Sequence, residues 1–426
     1  MGNLKDASAG TTSLYLDNKR EPLTDDILKC QALEELTLQN LDETFVLPGY
    51  LERLPKLRAL ILRAVEKQPF VLRGSLANLT LETLAIDEIS LAGCTLPASL
   101  RKVSLTDSPT RGVALPSGLR ELALRNADLD GLHIPAGLQS LVLFSANASQ
   151  DLATLVPQLQ RSQVTSLELS QPAPDKGARP PIPAALCDLP KLQNLEIRNF
   201  DGVFPSRCEQ LKDLTHIEVS SVDCNATIDS LLPLARSLKQ LLLNSNRETM
   251  LSLGDNLGQL AALESLELRY CTLVALPASI AQLTALRSLL LPKLANNELP
   301  SAVYELRSLT SLVVTDTLKT LPADIAKLNQ LQALTLSKIN TLPMELQELK
   351  QLKRLILGNA LNNGALVTAS EGAEALKMLK PLPKVLSELT SLEELDISHC
   401  GVFDLEPLRT LVNLRKLEVS WSAIRT

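Results

Sequence analysis

Between Leu263 and Leu291 the apolar and polar positions follow a fixed phrase. Leu263, Leu266 and Leu268 are apolar, with Glu264, Ser265 and Glu267 between them, and the same spacing returns at Leu286, Leu289 and Leu291. The L-x-L step has the period of an extended strand: both leucines point to one side and the residue between them to the other. Cys271, Leu273, Leu276, Pro277, Ile280 and Leu283 then carry the chain back beneath the strand. Each coil has an apolar face above and another below, and only a stack of similar coils buries both.

The phrase recurs along the chain. It begins at Leu33, Leu57, Leu81, Leu100, Leu119, Leu138, Val164, Leu192, Leu214, Leu238, Leu263, Leu286, Leu309, Leu331, Leu352, Leu392 and Leu414, which makes seventeen copies. Ser13-Leu14-Tyr15-Leu16 reads as an eroded copy ahead of them, and Pro22–Cys30 as a short capping helix with Thr24 at its N-cap. Residues 1–32 are therefore expected to form an N-terminal cap and 33–426 one repeat domain. From Leu81 to Leu138 the copies are 19 residues apart, as LPASLRKVSL, LPSGLRELAL and IPAGLQSLVL, which leaves room only for an extended or 3₁₀ return. From Leu263 to Leu352 the steps are 23, 23, 22 and 21 residues, enough for a turn or two of helix opened by proline at its first position.

Two stretches interrupt the rhythm. Gln171 to Pro183, QPAPDKGARPPIP, is too rich in proline for a strand interior and reads as a surface loop. The step from Leu352 to Leu392 is 40 residues; its irregular part, about 358–391, reads as an insertion rather than a degraded repeat, with a short helix from Ser370 to about Lys380. Beyond Leu417 and Val419 no polar capping coil follows. That end is expected either to continue or to be covered by a partner or a second copy.

The phrase carries the family resemblance. From Leu33 to Val419 the sequence resembles the leucine-rich repeat superfamily, which implies a solenoid with a curved parallel β-sheet on its concave face and loops, 3₁₀ turns and short helices on its convex face. More narrowly, LPASLRKVSL, LPASIAQLTALRSL, LEELDISHCGVF and LEVSWSAIRT resemble the repeats of bacterial type III secretion effectors. In some of those effectors a separate C-terminal ubiquitin-ligase domain follows repeats that select the substrate; no residue here matches a ligase role.

Composition narrows the function. Hydrophobic residues are 45% of the chain and aromatics 3%, so leucine does the packing. The net charge of −6 argues against a nucleic-acid surface. Seven cysteines with no C-x-x-C pair fit a reducing compartment, and the N-terminus has no apolar signal core. The expected location is cytoplasmic, or a host cell reached through a specialised bacterial secretion system, with no insertion into a membrane. No GxxxxGK[ST], GxSxG, HExxH or zinc-spaced Cys/His set occurs, so neither cofactor nor metal is expected, and no catalysis within this span. His399 beside Cys400 is not a dyad if strand neighbours point to opposite faces.

The expected function is protein recognition on the concave face, where the third, fifth, seventh and eighth positions of each phrase project. The fifth position gives an interrupted acidic column, Glu168, Glu196, Glu218 and Glu267, and an apolar one, Leu290, Val313 and Ile356. With Leu242, Arg269, Tyr270 and Trp421 these make a docking surface with an apolar centre flanked by acid. The competing reading is that Arg198 and Arg269 simply neutralise Glu196 and Glu267. Two alternatives stay open for the whole: the substrate-recognition part of a ubiquitin ligase or other enzyme whose catalytic domain lies outside this chain, and an intracellular regulator of a phosphatase or GTPase.

Overall fold

The computed structural model describes residues 4, 7–65, 70–174, 178–220, 224–339, 341–358, 380–398, 403–420 and 424–425. They fall into two compact units, Met1–Phe200 with Arg207–Leu214 and Asp201–Ser206 with Thr215–Thr426. The helix expected from Ser370, the pair His399 and Cys400, and Trp421 lie outside the described residues.

In the first unit the strands are β1 (Ser13–Asp17), β2 (Glu35–Leu41), β3 (Ala59–Ala64), β4 (Thr83–Asp87), β5 (Lys102–Thr106), β6 (Glu121–Arg125), β7 (Ser140–Phe144), β8 (Ser166–Ser170) and β9 (Asn194–Arg198). Each pairs in parallel with the next, leucine against leucine: Leu14 with Leu36, Leu60 with Leu84, Leu122 with Leu141. Sequence spacing sets this register, since a slip of one residue would turn every leucine to the open side. Strand β1 is a full member of the stack, with Leu14 and Leu16 buried. Thr24 does not cap the 3₁₀ helix Asp25–Lys29; its hydroxyl donates to the Asp26 carboxylate at 3.2 Å.

The 19-residue coils return through turns alone, as their length dictates. They are joined side by side by arginines: Arg101 Nη1 donates to the Gly118 carbonyl at 3.0 Å and Arg120 Nη1 to the Gly137 carbonyl at 2.8 Å. A Cβ at either glycine would meet the guanidinium, so glycine clears the donor's path. Helix α1 (Ala148–Leu159) then follows β7 and buries Leu152, Leu155 and Leu159. The proline-rich stretch begins pinned, because Gln171 Nε2 donates to the Asn199 carbonyl and Asn199 Nδ2 returns a bond to the Gln171 carbonyl.

The second unit continues the pattern with β10 (His216–Ser220), β11 (Gln240–Ser252), β12 (Ser265–Ala275), β13 (Ser288–Leu291), β14 (Ser311–Thr317), β15 (Ala333–Ser337), β16 (Arg354–Ile356), β17 (Glu394–Asp396) and β18 (Lys416–Glu418). The longer returns hold five-residue 3₁₀ helices such as Ala278–Gln282, Ser301–Glu305 and Ala323–Lys327. Proline stands one place earlier than its expected first helical position. Pro277, Pro300 and Pro322 occupy the N-cap in extended backbone, where their carbonyls accept the first bonds of the turn, from Ile280, Val303 and Ile325. In the last coil Leu417 of β18 is 37% exposed and Val412, ahead of that strand, 83%.

The ninth position of the phrase is occupied by apolar residues more often than by asparagine. Ile89, Phe200, Leu294 and Ile339 are buried there. Polar backbone beside them needs other partners. In one coil Ser108 fills that role: its hydroxyl donates to the Thr106 carbonyl at 2.7 Å and accepts from Ile89 N–H at 3.3 Å. In β11 and β12 the strands lengthen instead, and pairing resumes at Thr249–Cys271, Met250–Thr272 and Leu251–Leu273. Cys271 is buried in this run, and burial pushes its thiol up to about 11, a packing residue rather than a nucleophile.

One buried side chain departs from the pattern. Tyr304 takes the place in its 3₁₀ helix that Ala281 and Ala326 hold in neighbouring coils, and its hydroxyl finds no hydrogen-bond partner among the described residues. A buried unpaired hydroxyl costs about 1–3 kcal/mol. Tyr304→Phe is therefore expected to leave stability unchanged or raise it by about 1 kcal/mol, measured by urea unfolding; a loss above that size would show that the hydroxyl is paired in solution. Among the described residues no helix is long and apolar enough to cross a membrane.

Candidate functional site

The open side of the second unit's sheet follows from the same register that buries its leucines. The fifth positions fall into one row across the strands: Glu218, Leu242, Glu267, Leu290, Val313, Thr335, Ile356, Asp396 and Glu418. All are half-buried, and each from Glu218 to Asp396 stands between two buried apolar neighbours. The third positions form a parallel row in which Ser265, Ser288, Ser311 and Ala333 are small and uncharged, followed by Arg354, Glu394 and Lys416. The aliphatic residues Leu290 and Val313 therefore stand above low neighbours.

Charge on this face is grouped at its two sides. Arg269 Nη2 pairs with Glu267 Oε2 at 2.6 Å, and Asn244 Nδ2 donates to Glu218 Oε1 at 2.8 Å. At the other side Arg354 and Lys416 both reach Glu394, at 2.6 and 2.9 Å, and these bonds, that from Lys416 foremost, hold its carboxyl below the usual range. Asp396 accepts a bond from Ser398 N–H at 2.8 Å. Between Glu267 and Asp396 the row is uncharged.

The expected acidic column divides between the units. Glu168 and Glu196 are register partners in the first unit, where Arg198 closes an ion pair on Glu196. Glu218 and Glu267 belong to the second and are separated by Leu242. Both neutralising pairs, Arg198–Glu196 and Arg269–Glu267, form.

The eighth position differs from its expected role. It breaks the strand's alternation rather than extending it: Asn40, Glu88, Asp107, Asn126, Asn199, Tyr270 and Lys338 all occupy it, all with φ between 47° and 64°, Asn40 and Tyr270 inside β2 and β12 and the others just past a strand's last residue. Left-handed backbone turns the chain out of the strand, and asparagine tolerates it best. Tyr270 is the one aromatic residue of the seven and is 72% exposed. In the same pair of strands Met250, the register partner of Thr272, and Val274 are 67% and 44% exposed. Sequence reasoning missed these two because it looked for projecting residues only at the third, fifth, seventh and eighth positions; for Val274 the stretch from Cys271 to Leu276 was the available signal.

The sequence profile described as a leucine-rich repeat region matches residues 236–363. The fold is a leucine-rich repeat solenoid. Among solved structures, TLR13, in a complex with a single-stranded RNA, is similar at 20% identity over 96% of this chain and 71% of that one, with a TM-score of 0.54. A leucine-rich repeat protein of Leptospira interrogans matches at 21% identity over 92% of both chains, with a TM-score of 0.45. An internalin of Listeria monocytogenes matches at 14% identity over 95% of this chain and 85% of that one, with a TM-score of 0.38. No curated protein matches the sequence.

Proposed function

We propose that this solenoid recognises a partner protein through the open sheet face of its second unit, with Leu242, Leu290, Val313 and Ile356 as the apolar row and Tyr270, Met250 and Val274 at its margin. The observation that carries this is Tyr270. Left-handed backbone costs an ordinary side chain roughly 1–2 kcal/mol, and the ring recovers little of that by burial because it is largely exposed. Folding alone favours asparagine at this site, as at Asn40, Asn126 and Asn199. An exposed aromatic beside an aliphatic row supplies the type of anchor on which interfaces depend.

The narrower reading is an effector-type protein delivered into host cells, supported by the LPxxL and LPxxIxxL style of the repeats. The row is uncharged from Leu290 to Ile356 and offers no run of arginine and lysine for the phosphates of an RNA such as the one in the TLR13 complex.

Tyr270→Asn is expected to raise stability by about 0.5–1 kcal/mol in denaturant unfolding. The same variant is expected to lose proteins that the parent chain captures from host-cell lysate, as is Leu290→Asp/Val313→Asp. Capture unchanged in both variants would end the reading.

A further inference from the structure

The return segments of the first unit change in kind between two neighbouring coils. The coil that leaves β7 returns through α1, a 12-residue helix, and the next through the five-residue 3₁₀ helix Ala184–Asp188, which packs against it. A 3₁₀ helix is the narrower of the two. Where both run on towards their next strands, a cleft of about 210 Å³ is left between them, lined by Leu159, Gln160 and Val164 from one coil and Leu189, Pro190 and Lys191 from the other. Leu159, Val164 and Leu189 are buried and form an apolar floor, while Gln160, Pro190 and Lys191 are exposed at the rim.

Two bonds cross between the coils at this rim, one in each direction. Gln160 Nε2 donates to the Asp188 carbonyl at 3.0 Å, and Lys191 Nζ donates to the Ser162 carbonyl at 3.1 Å. They hold the walls apart at a fixed width, so the cleft is formed before anything enters it. Lys191 spends one of an ammonium's three donors on that neutral carbonyl. No carboxylate closes an ion pair on it among the described residues; Asp188, three residues before it, is taken by Arg207 Nη2 at 2.8 Å. The carbonyls that end α1 are occupied as well, Gln158 by Arg161 N–H and Leu159 by Ser162 N–H.

From these observations we infer that the cleft binds a free aliphatic carboxylate of about eight carbons, its chain on Leu159, Val164 and Leu189 and its carboxylate at Lys191. The site belongs to the first unit and does not rest on the sheet face proposed for the second. Volume sets the chain length. A cavity of about 150 Å³ with aliphatic and aromatic walls takes benzene, which has six carbons, so about 210 Å³ takes about eight. Charge sets the head group: a cation would be repelled by Lys191, and an uncharged chain would leave the ammonium unmatched.

The experiment is a titration of the full chain with octanoate, read from the methyl resonances of leucine and valine. Leu159, Val164 and Leu189 are expected to shift together and saturate, while Leu290 and Val313 stay in place. Hexanoate, two methylenes shorter, is expected to bind about tenfold more weakly, and 1-octanol, without the charge, about fivefold. Lys191→Met is expected to weaken octanoate about fivefold and leave 1-octanol unchanged, a difference that loss of the Ser162 bond alone would not produce. Val164→Phe fills the floor and is expected to abolish binding of both; thermal unfolding checks that it folds, and Lys191→Met, a surface change, decides where it does not. Equal affinity of octanoate and 1-octanol, or of Lys191→Met and the parent chain for octanoate, would overturn the carboxylate ligand. No saturating shift at the three floor residues would overturn the site.

Discussion

Leu266→Ala is expected to destabilise the second unit by about 2–5 kcal/mol, the range for deleting a buried leucine whose site cannot collapse. Leu266 is fully buried and stands in register with Leu241 on one side and Leu289 on the other. Parallel backbone bonds hold both neighbours at strand spacing, so the walls cannot close on the void as a loop would. The loss also spreads, because each coil is stable only through its neighbours. Urea unfolding followed by circular dichroism would measure it. A cost below about 1 kcal/mol would place Leu266 on the open face and reverse the register of the sheet.

Adding atoms should do comparable damage at Gly258. This residue is buried in the 3₁₀ helix Asp255–Gln259, which packs against Ala278–Gln282 of the following coil. A Cβ there would lie 2.7 Å from Ser279 Cβ and 2.8 Å from Gln282 Oε1, and closer still to the Ser279 carbonyl. That carbonyl is backbone and cannot rotate away, so Gly258→Val must push two coils apart. Overpacking of this kind costs about 1–3 kcal/mol. Gly49→Ala, where a Cβ meets nothing within 4 Å, is the control expected to change little. Equal melting temperatures for the two variants would refute close packing of the returns.

The features legible in the sequence are those with a strict period. Leu263, Leu266 and Leu268 repeat at spacings that only a strand in a stack satisfies, and each of them is buried. The row from Glu218 to Glu418 followed from the same count, since fixing the leucines fixes what lies between them. The eighth position was misjudged because a strand's alternation does not announce where it stops; a left-handed turn looks like strand in a chain that uses Tyr270 or Lys338 for it. The lengthening of β11 and β12 depends on two stretches of the chain agreeing to pair, Met250 with Thr272 and Leu251 with Leu273, and neither stretch implies the other. Tyr304 was invisible for a similar reason: its burial depends on the small residues in the coils beside it.

The extended pairing of β11 with β12 also sets how the second unit yields. Nine residue pairs join these two strands, whereas three join β16 to β17 and three join β17 to β18. In a stack whose neighbours touch only neighbours, opening starts at the weakest joint and travels until it meets a strong one. Amide exchange should therefore be fastest from β16 onwards and slowest at Leu266 and Leu268. The aliphatic row spans this gradient, its Glu267 end on the slow-exchanging strands and its Asp396 end on the fast ones. A ligand gripping both ends would act as a splint, slowing exchange most at the end where the protein alone opens first.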